Sequence, residues 1–349
     1  MSLIFTWKDI KNRTKAYTYN DVLITPSMSD VRSRRDPDLS TQLTKKHRIQ
    51  LPFISANMDT VTENDMMIGM HKLGGFGILH RFMTIENQVN EILLAREAGV
   101  ELLGASIGVN QDFQERTKAL VEAGVNLITV DIAHGHSVSM IETLKWLKDT
   151  YPDVEVIAGN VATPEGVIDL AEAGADAIKV GIGPGSMCTT RVITGCGVPQ
   201  LTAVALCSET AHSIGIPVIA DGGIKTSGDI VKAIAAGADT VMLGSILSGT
   251  LETPGEIRHG KKRYRGMASK AAQVSWRGGV PQGMAPEGES TMVSIKGHVS
   301  DVIHELAGGL RSGMSYINAA NLSEIKEKAR FMEMSGMGYQ ESYAHGVQP

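Results

Sequence analysis

The sequence has no apolar run long enough to cross a membrane and no excess of basic charge. A bilayer span needs roughly 18 to 20 apolar residues, and no stretch of this 349-residue chain is that apolar. The net charge of −5 disfavours a protein that binds nucleic acid through a basic face. Charged residues also follow the start too early for a secretory signal. We therefore expect neither a membrane partner nor a nucleic-acid partner.

Cysteines and aromatic residues are also scarce. The chain has three cysteines, Cys188, Cys196 and Cys207, which lie close together in the sequence. A small, odd number in a long chain indicates a reducing compartment and predicts a cytoplasmic protein. Aromatic residues make up 5% of the chain, which disfavours a stacking platform for single-stranded nucleic acid. Glycine, in contrast, occurs 38 times, as expected where turns are tight or backbone approaches a ligand.

Eight short apolar runs recur along the chain, and most are followed by a stretch with helical patterning. Runs this apolar predict strands that are buried on both faces, as in a parallel sheet. Sequences such as REAGV and AEAGAD come just before several runs, and their glycine predicts the end of a helix. The predicted strands are 51–55, 75–79, 102–106, 126–131, 154–159, 176–180, 217–221 and 240–244.

Eight βα units predict an α/β fold, a (β/α)8 or TIM barrel, in a single domain over residues 1–349. The barrel core is expected at about 50–250. The main alternative is a doubly wound open sheet, which usually has a phosphate-binding glycine motif after its first strand. Here the glycine clusters follow the sixth, seventh and eighth predicted strands, so the barrel is favoured.

Two segments lie outside the predicted barrel. Residues 1–50 are polar and mixed, and we expect an extended lead-in that caps the bottom of the barrel. The glycine-rich stretch 276–290 is too irregular for a core element. A long irregular segment in a compact chain is often a lid over the site, which we expect at about 266–290. The alternative is a disordered surface loop.

Polar and glycine residues concentrate just after the predicted strands, where TIM-barrel active sites are built. The loops DGGIKTSGD and GSILSGT follow strands seven and eight, and their glycines let backbone N–H groups approach a phosphate. Asp221 directly precedes Gly222 and Gly223. Since a phosphate would repel its carboxylate, Asp221 is expected to accept hydrogen bonds from ribose hydroxyls. The alternative is that the glycines only form turns. The loops predict a phosphorylated sugar ligand such as a nucleotide.

Cys188 follows the sixth predicted strand in GIGPGSMCTT (181–190) and is the candidate nucleophile. The glycines permit a strained loop with open backbone N–H groups beside the thiol and carbonyls that could face a cation. The alternative is a buried, inert cysteine. Cys207, on a predicted helix, fits that description, and Cys196 fits neither clearly. No pair of cysteines has zinc-ligand spacing with matching histidines.

Four further residues near the site leave alternatives open. His134 and His136 could be a metal pair or a general base, but a structural role is favoured because side chains two residues apart would point in different directions. Arg81 could be a buried ion-pair partner or an anion contact. Glu287, on the predicted lid, is the carboxylate that we place near a ligand base, and a solvated loop glutamate is the alternative.

Six segments resemble the IMP dehydrogenase/GMP reductase family. The similarity extends from YTYNDVLITP (17–26) to SGMGYQESY (335–343). The cysteine loop, the DGG loop and the YRGM sequence are its most specific parts. The six segments are 55–62, 130–137, 179–191, 219–230, 264–269 and 308–316.

The resemblance implies a barrel enzyme, assembled as a homotetramer, whose cysteine attacks C2 of a purine mononucleotide, GMP or IMP. In the dehydrogenase, hydride leaves C2 of IMP for NAD, and the cysteine adduct is hydrolysed to XMP. In the reductase, the cysteine displaces ammonia from GMP, and NADPH delivers hydride to give IMP.

The resemblance also implies roles residue by residue. Cys188 would be the nucleophile, Thr190 its proton-transfer partner, and Glu287 would contact the base and complete the relay. Met58 and Met267 would flank the base. The remaining implied residues are Ser186, Gly222, Gly223, Gly244, Ser245 and Tyr264 at the phosphate, Gly266 also at the substrate, Asp221 at the ribose, Asp131 at the nicotinamide ribose, and the carbonyls of Gly183, Gly185 and Cys188 at a potassium ion.

Two features favour a GMP reductase that uses NADPH, with an IMP dehydrogenase that uses NAD as the alternative. Residues 86–106 connect the second and third strands without the regulatory cystathionine-β-synthase-type domains that most dehydrogenases insert there. The stretch from Gly266 to Gly288 is short and lacks the Arg-Tyr pair of dehydrogenase flaps. Ser245, Thr250, the YRGMAS segment and the ESY tail are dehydrogenase-like instead.

A second alternative belongs to another class, an inactive nucleotide-binding barrel. It is disfavoured because both Cys188 and Thr190 are present. Arg277, beside Trp276, could stand in for the flap arginine of dehydrogenases.

Overall fold

Eight parallel strands hydrogen-bond in chain order and close into a barrel, which confirms the predicted (β/α)8 fold. The computed structural model describes residues 4–110 and 112–344. In chain order the strands are β1 (Ile4–Phe5), β2 (Val22–Ile24), β3 (Thr41–Gln42), β4 (Arg48–Ile49), β5 (Phe53–Ser55), β6 (Phe76–Leu79), β7 (Gly104–Ile107), β8 (Leu127–Asp131), β9 (Glu155–Val161), β10 (Ala177–Val180), β11 (Val218–Asp221), β12 (Thr240–Leu243), β13 (Lys261–Arg265), β14 (Ser290–Ser294) and β15 (Phe331–Glu333). Strands β5 to β12 form the barrel, which closes where β12 pairs with β5.

Helices alternate with the barrel strands and cover the outside of the barrel. They are α1 (Asn64–Lys72), α2 (Ile85–Glu97), α3 (Phe113–Glu122), α4 (Val138–Thr150), α5 (Pro164–Glu172), α6 (Thr190–Thr194), α7 (Gln200–Ser213), α8 (Ser227–Ala235), α9 (Lys270–Arg277), α10 (Val299–Tyr316), α11 (Leu322–Lys328) and α12 (Gly336–Glu341). The ring of helices closes where α10 packs between α8 and α1. Within the described ranges, no helix combines the length and the apolar character that a membrane crossing needs.

The apolar runs form strands because their side chains are buried against the helices and against one another. Ile54 and Ile219, for example, have no exposed surface. Threonine side chains begin several of the helices that follow the strands. Thr84, Thr163 and Thr226 each accept a hydrogen bond from a backbone N–H in the first helical turn. These caps fix where the loops before α2, α5 and α8 end. The site is built from such strand-end loops.

The lead-in caps the bottom of the barrel only with its second half, so the prediction for residues 1–50 is partly wrong. The β3–β4 hairpin does lie there, and the Thr41 hydroxyl donates to the carbonyl of Asp239, just before β12. The first half instead runs along the side of the barrel. The Tyr17 N–H donates to the Thr202 hydroxyl on α7, and β2 joins β1 and β15 in a separate antiparallel sheet. Buried aromatic side chains in this half need an apolar partner, which the outer helices provide.

The predicted lid connects the two strands of the antiparallel β13–β14 hairpin. Its first part forms the eight-residue helix α9, which overlaps the stretch predicted to be irregular, 276–290, only at Trp276 and Arg277. Ser269 caps this helix by accepting a hydrogen bond from the Ala272 N–H. The helix ends at Gly278, which adopts the left-handed conformation that glycine favours at this position.

Candidate active site

A cavity of about 370 Å³ opens at the carboxyl ends of the barrel strands. It is lined by strand-end loops on all sides and is covered in part by the lid. Every site residue that the resemblance implies lines this cavity: Met58, Asp131, Gly183, Gly185, Ser186, Cys188, Thr190, Asp221, Gly222, Gly223, Gly244, Ser245, Tyr264, Gly266, Met267 and Glu287. The structure thus brings together the residues that the sequence scatters, while their individual roles remain predictions.

A short relay of hydrogen bonds starts at the candidate nucleophile. The Cys188 thiol donates to the Thr190 hydroxyl over 3.1 Å, and that hydroxyl donates to a carboxylate oxygen of Glu287 over 2.8 Å. A proton can therefore move from the sulfur, or from a water molecule beside it, to the Glu287 carboxylate through a single hydroxyl. The arrangement suits both the formation and the breakdown of a covalent cysteine adduct.

Backbone pairing holds the relay together across 97 positions of sequence. The Thr189 N–H donates to the Glu287 carbonyl, and the Glu289 N–H donates to the Met187 carbonyl. A Cβ atom on Gly288 would lie only 3.0 Å from the Met187 carbonyl oxygen. Glycine at this position therefore lets the end of the lid approach the cysteine loop closely enough to place the carboxylate.

The loop after β11 contains two consecutive glycines in a left-handed conformation. Gly222 and Gly223 have φ angles of 96° and 83°, in the left-handed region that favours glycine. A Cβ atom on Gly222 would lie 2.9 Å from the Pro184 side chain, so no side chain fits between the two loops. The backbone at this point is left open to a ligand.

Two hydroxyl groups lie beside these glycines. The Ser186 hydroxyl lies 3.2 Å from the phenol oxygen of Tyr264. The same phenol oxygen would lie 3.2 Å from a Cβ atom on Gly244, in the loop after β12. Burial raises the pKa of Tyr264 above its ordinary value, opposed by the hydrogen bond with Ser186. The phenol therefore remains protonated and can donate a hydrogen bond.

A buried lysine joins the two carboxylates on the floor of the cavity. The Lys179 ammonium lies 2.8 Å from Asp131 and 2.7 Å from Asp221. The Asn57 amide donates to the second oxygen of Asp131 over 2.8 Å. The Asn160 amide donates to Asp221 over 2.8 Å. Burial would raise the pKa of Asp131, but the Lys179 charge and these hydrogen bonds hold it below its ordinary value. Both carboxylates are thus aimed by amide and ammonium donors.

Two methionines lie on neighbouring loops that line the cavity. The sulfur of Met267 accepts a hydrogen bond of 3.4 Å from the Asp59 N–H. The Asp59 carboxylate in turn pairs with the buried Arg265 guanidinium, whose Nε lies 3.1 Å away. The sulfur of Met58 would lie 3.3 Å from a Cβ atom on Gly244. A planar base bound between these loops would therefore meet polarisable, adaptable side chains.

The structure decides several alternatives that the sequence left open. Among residues 4–110 and 112–344, no carboxylate forms an ion pair with Arg81, which lines the cavity. His134 and His136 do not line it, and His136 lies 2.7 Å from Asp169 instead. Burial raises the pKa of Cys207 to about 12, so that cysteine remains a thiol. Cys196 is exposed.

Sequence reasoning missed Lys179. The signal was available, since a lysine inside the otherwise apolar strand sequence DAIKV must find a buried anionic partner. Which carboxylates supply that partner could not be read from the sequence, because they come from other strands.

The loop predicted to bind potassium already holds a cationic side chain. The Arg191 guanidinium donates to the carbonyls of Ile182 and Val198, and its side chain packs directly against Gly183. The Gly185 carbonyl accepts the Cys188 N–H over 3.1 Å. Potassium binding by the carbonyls of Gly183, Gly185 and Cys188 therefore remains a prediction.

The chain is similar to known proteins over most of its length. Residues 16–345 match the family model described as "IMP dehydrogenase / GMP reductase domain". An inosine-5'-monophosphate dehydrogenase of Cryptosporidium parvum is 44% identical over 97% of both chains. A dehydrogenase of the same name from Borreliella burgdorferi is 39% identical over 95% of this chain and 97% of its own. Another, from Nitrosopumilus maritimus, is 36% identical over 95% of this chain and 98% of its own.

The expected preference for GMP reductase finds no support in these relatives, which are all named as dehydrogenases. The resemblance itself is confirmed over nearly the whole chain, together with the barrel that it implies. The cysteine loop and the glycine loops meet in one cavity. This chain therefore belongs to the IMP dehydrogenase/GMP reductase family.

Proposed function

We propose that the protein is an IMP dehydrogenase, which oxidises C2 of IMP with NAD and releases XMP. The observation that carries the proposal is the Cys188–Thr190–Glu287 relay at the mouth of the cavity. A carboxylate linked through one hydroxyl to the nucleophile can take a proton both from the thiol and from the water that hydrolyses the adduct. The similarity to the named dehydrogenases supports this direction of the reaction.

The first half of the reaction is a covalent oxidation at C2 of the purine. The Cys188 sulfur forms a bond to C2 while its proton passes through Thr190 to Glu287. NAD, when bound, accepts the hydride that leaves C2. The product of this half is a thioimidate on the cysteine, which retains the purine ring of XMP without its C2 oxygen.

The second half is hydrolysis of that adduct. A water molecule attacks C2, and the C2–sulfur bond breaks to release XMP and the Cys188 thiolate. Glu287 first releases the proton of the thiol to solvent, and the proton of the water then moves by the same hydroxyl to the free carboxylate, from which it can return to the Cys188 thiolate. Because the relay reaches the sulfur directly, the base that deprotonated the thiol is also within reach of a water that approaches C2.

The remaining residues orient the two ligands. The backbone of Gly222 and Gly223 and the phenol of Tyr264 would hold the phosphate of IMP, and Asp221 its ribose hydroxyls. Asp131 would face the nicotinamide ribose. The indole N–H of Trp276 on the lid is a buried donor without a partner in the described part of the chain, which supports a further polar ligand in this part of the cavity.

A second candidate is GMP reduction with NADPH, and the short lid favours it. The stretch from Gly266 to Gly288 contains no Arg-Tyr pair to activate water. In this reaction the relay would deliver a proton to the amino group on C2, which then leaves as ammonia. The absence of an inserted domain does not decide between the candidates. The alignment to the N. maritimus dehydrogenase spans 466 positions, but the alignment to the C. parvum dehydrogenase spans only 391. A protein named as a dehydrogenase can therefore also have a short connection. The homotetramer and the potassium site belong to both proposals.

The test is a pair of assays on the purified protein, IMP with NAD and GMP with NADPH, with the nucleotide products separated by chromatography. Formation of XMP with stoichiometric NADH supports the proposal. NADPH consumption with IMP formation, and no XMP, would replace it with the reductase. Tight nucleotide binding without turnover in either assay would show an inactive barrel.

The covalent step is tested by Cys188→Ala, with Cys196→Ala as the matched control because Cys196 is exposed and does not line the cavity. The first variant should lose turnover and still bind the mononucleotide, whereas the second should keep both. Residual turnover of Cys188→Ala near the unaltered rate would rule out the covalent mechanism.

A further inference from the structure

We propose that Arg81, Phe82, Trp276 and Arg277 form a second anion subsite, which binds a phosphate group of the nicotinamide dinucleotide. We call these four side chains the cationic wall. The inference rests on the proposed function in one respect, since it takes the dinucleotide as the second ligand of the cavity. It adds the residues that select this ligand, half of them on the lid.

The four side chains stack in one continuous row. The Arg81 guanidinium lies 4.7 Å from the centre of the Phe82 ring. That ring contacts the Trp276 ring at a centroid distance of 5.3 Å, and the Arg277 guanidinium lies 4.0 Å from the Trp276 ring. All four line the cavity. Two cations are thus held at the ends of an aromatic pair, with their planar faces fixed by stacking.

Neither cation of the wall has an anionic partner within residues 4–110 and 112–344. Other arginines do, since the buried Arg265 pairs with Asp59 and the buried Arg116 with Asp112. Of the nearby carboxylates, Asp131 has the largest effect in raising the pKa of Arg81. Both oxygens of Asp131 are already bonded, one to Lys179 and the other to Asn57.

Two buried donors of the wall are also unsatisfied in the described part of the chain: the Nε–H of Arg81 and the indole N–H of Trp276. Burial lowers the pKa of Arg81 from its ordinary value, and repulsion from Arg277 acts in the same direction. A buried guanidinium with an open donor and a second cation nearby is stabilised by an anion that approaches from the cavity.

The position of the wall separates this anion from the phosphate of the mononucleotide. Arg81 and Phe82 follow β6, which lies across the barrel from β10, where the cysteine loop begins. The glycine loops follow β11 and β12, which lie three and two strands away from β6 around the barrel. The wall and the glycine loops are thus separate parts of the cavity rim, and we assign the wall to a second phosphate group. A dinucleotide that reaches C2 from the side of Asp131 places its phosphates on this side.

The lid half of the wall is anchored to the barrel. The Arg265 guanidinium, paired with Asp59 at the rim, donates to the Ala271 carbonyl in α9 over 3.0 Å. The Gln273 amide donates to the Ala268 carbonyl. Trp276 and Arg277 are the last two residues of that helix, so an anion bound between the two halves would fasten the lid over the site.

The test measures dinucleotide binding directly, by isothermal titration of NADH and NADPH into the protein saturated with IMP. Arg277→Gln should weaken both dinucleotides about tenfold, leave the affinity for IMP unchanged and reduce the salt dependence of binding. Arg277→Lys keeps the charge without the planar fork and should lose less. Arg258→Gln is the matched control, because Arg258 is exposed, pairs with Glu256 and does not line the cavity.

The two dinucleotides separate the possible sources of the phosphate. Equal losses for NADH and NADPH assign the subsite to the diphosphate that both carry, and a loss for NADPH alone assigns it to the 2′-phosphate. Unchanged affinity for both in Arg277→Gln and in Arg81→Gln would overturn the proposal, as would a failure of the unaltered protein to bind either. These are binding measurements, so they are independent of which reaction, if any, the turnover assays detect.

Discussion

Replacing Lys179 with methionine should destabilise the protein and weaken both of its ligands at once. The Lys179 side chain is 3% exposed and touches two carboxylates, whereas the side chains of Asp131 and Asp221 are each 23% exposed. Methionine matches the length of lysine but has no charge. It would leave two carboxylates facing each other across a cavity floor with no cation between them.

The expected loss in the free energy of unfolding is about 3 kcal/mol, at the low end of what breaking a buried ion pair costs, because water still reaches the carboxylates. That is a large share of the roughly 5–15 kcal/mol that stabilises a typical domain. The measurement is urea-induced unfolding followed by circular dichroism. Lys45→Met is the matched control, because Lys45 is 41% exposed and lies 3.7 Å from Asp176; it should lose less than about 1 kcal/mol.

The pH dependence gives the sign of the effect. The pKa of Asp131 lies below its ordinary value of 3.8 because Lys179 and its hydrogen-bond donors outweigh burial. Its contribution to stability is therefore present above that ordinary value and is lost as the pH falls through the lowered pKa. The Lys179 pKa is raised by the two carboxylates, against burial, so its contribution is lost only in strongly alkaline solution. Lys179→Met should flatten the acid limb of the stability profile.

Ligand affinity distinguishes this role from a merely structural one. Lys179→Met should weaken IMP, through Asp221, and the dinucleotide, through Asp131, each by about tenfold or more. The reasoning is refuted if unfolding free energy changes by less than the Lys45→Met control and both dissociation constants match those of the unaltered protein.

Three further variants test other parts of the site. Glu287→Gln keeps the hydrogen bond but removes the base, so kcat should fall on the order of a hundredfold or more with KM nearly unchanged, measured by steady-state kinetics. Gly222→Ala forces a strained φ and a contact with Pro184, which should lower the free energy of unfolding in urea by about 1–3 kcal/mol. Its control is Gly228→Ala, because a Cβ atom at that helical position meets no close contact, and this variant should be neutral or stabilising. Tyr264→Phe removes a donor from the phosphate site and should weaken IMP about tenfold by titration, and unchanged affinity would place the phosphate elsewhere.

The barrel could be predicted because its signal is local. Each strand is a short apolar run that must be buried on both faces, and most of the helices between the strands are bounded by a threonine cap or a glycine stop within a few residues. Thr163 and Thr226 are examples at the starts of α5 and α8. Reading these signals in order placed all eight barrel strands within a few residues of where they lie.

The lid was harder to predict for a physical reason. The helix α9 has eight residues, of which only Ala272 and Gln273 are buried, so it lacks the run of core-facing apolar residues that marks the barrel units in the sequence. Ser269 offered a cap signal, but the glycines that follow α9 dominated the interpretation. Its position over the cavity depends on the Arg265–Asp59 pair and on backbone bonds to the cysteine loop, which join distant parts of the chain.

The sequence by itself determined the fold, the candidate nucleophile and the residue types that surround it, because burial patterns and loop motifs depend on neighbouring residues. Only the tertiary structure decided which groups act together. Thr190 contacts a carboxylate 97 positions away, Lys179 contacts carboxylates from two other strands, and Arg81 contacts a row of side chains that ends on the lid. Closing a barrel brings every strand end to one rim, and contacts across that rim have no counterpart in the order of the residues.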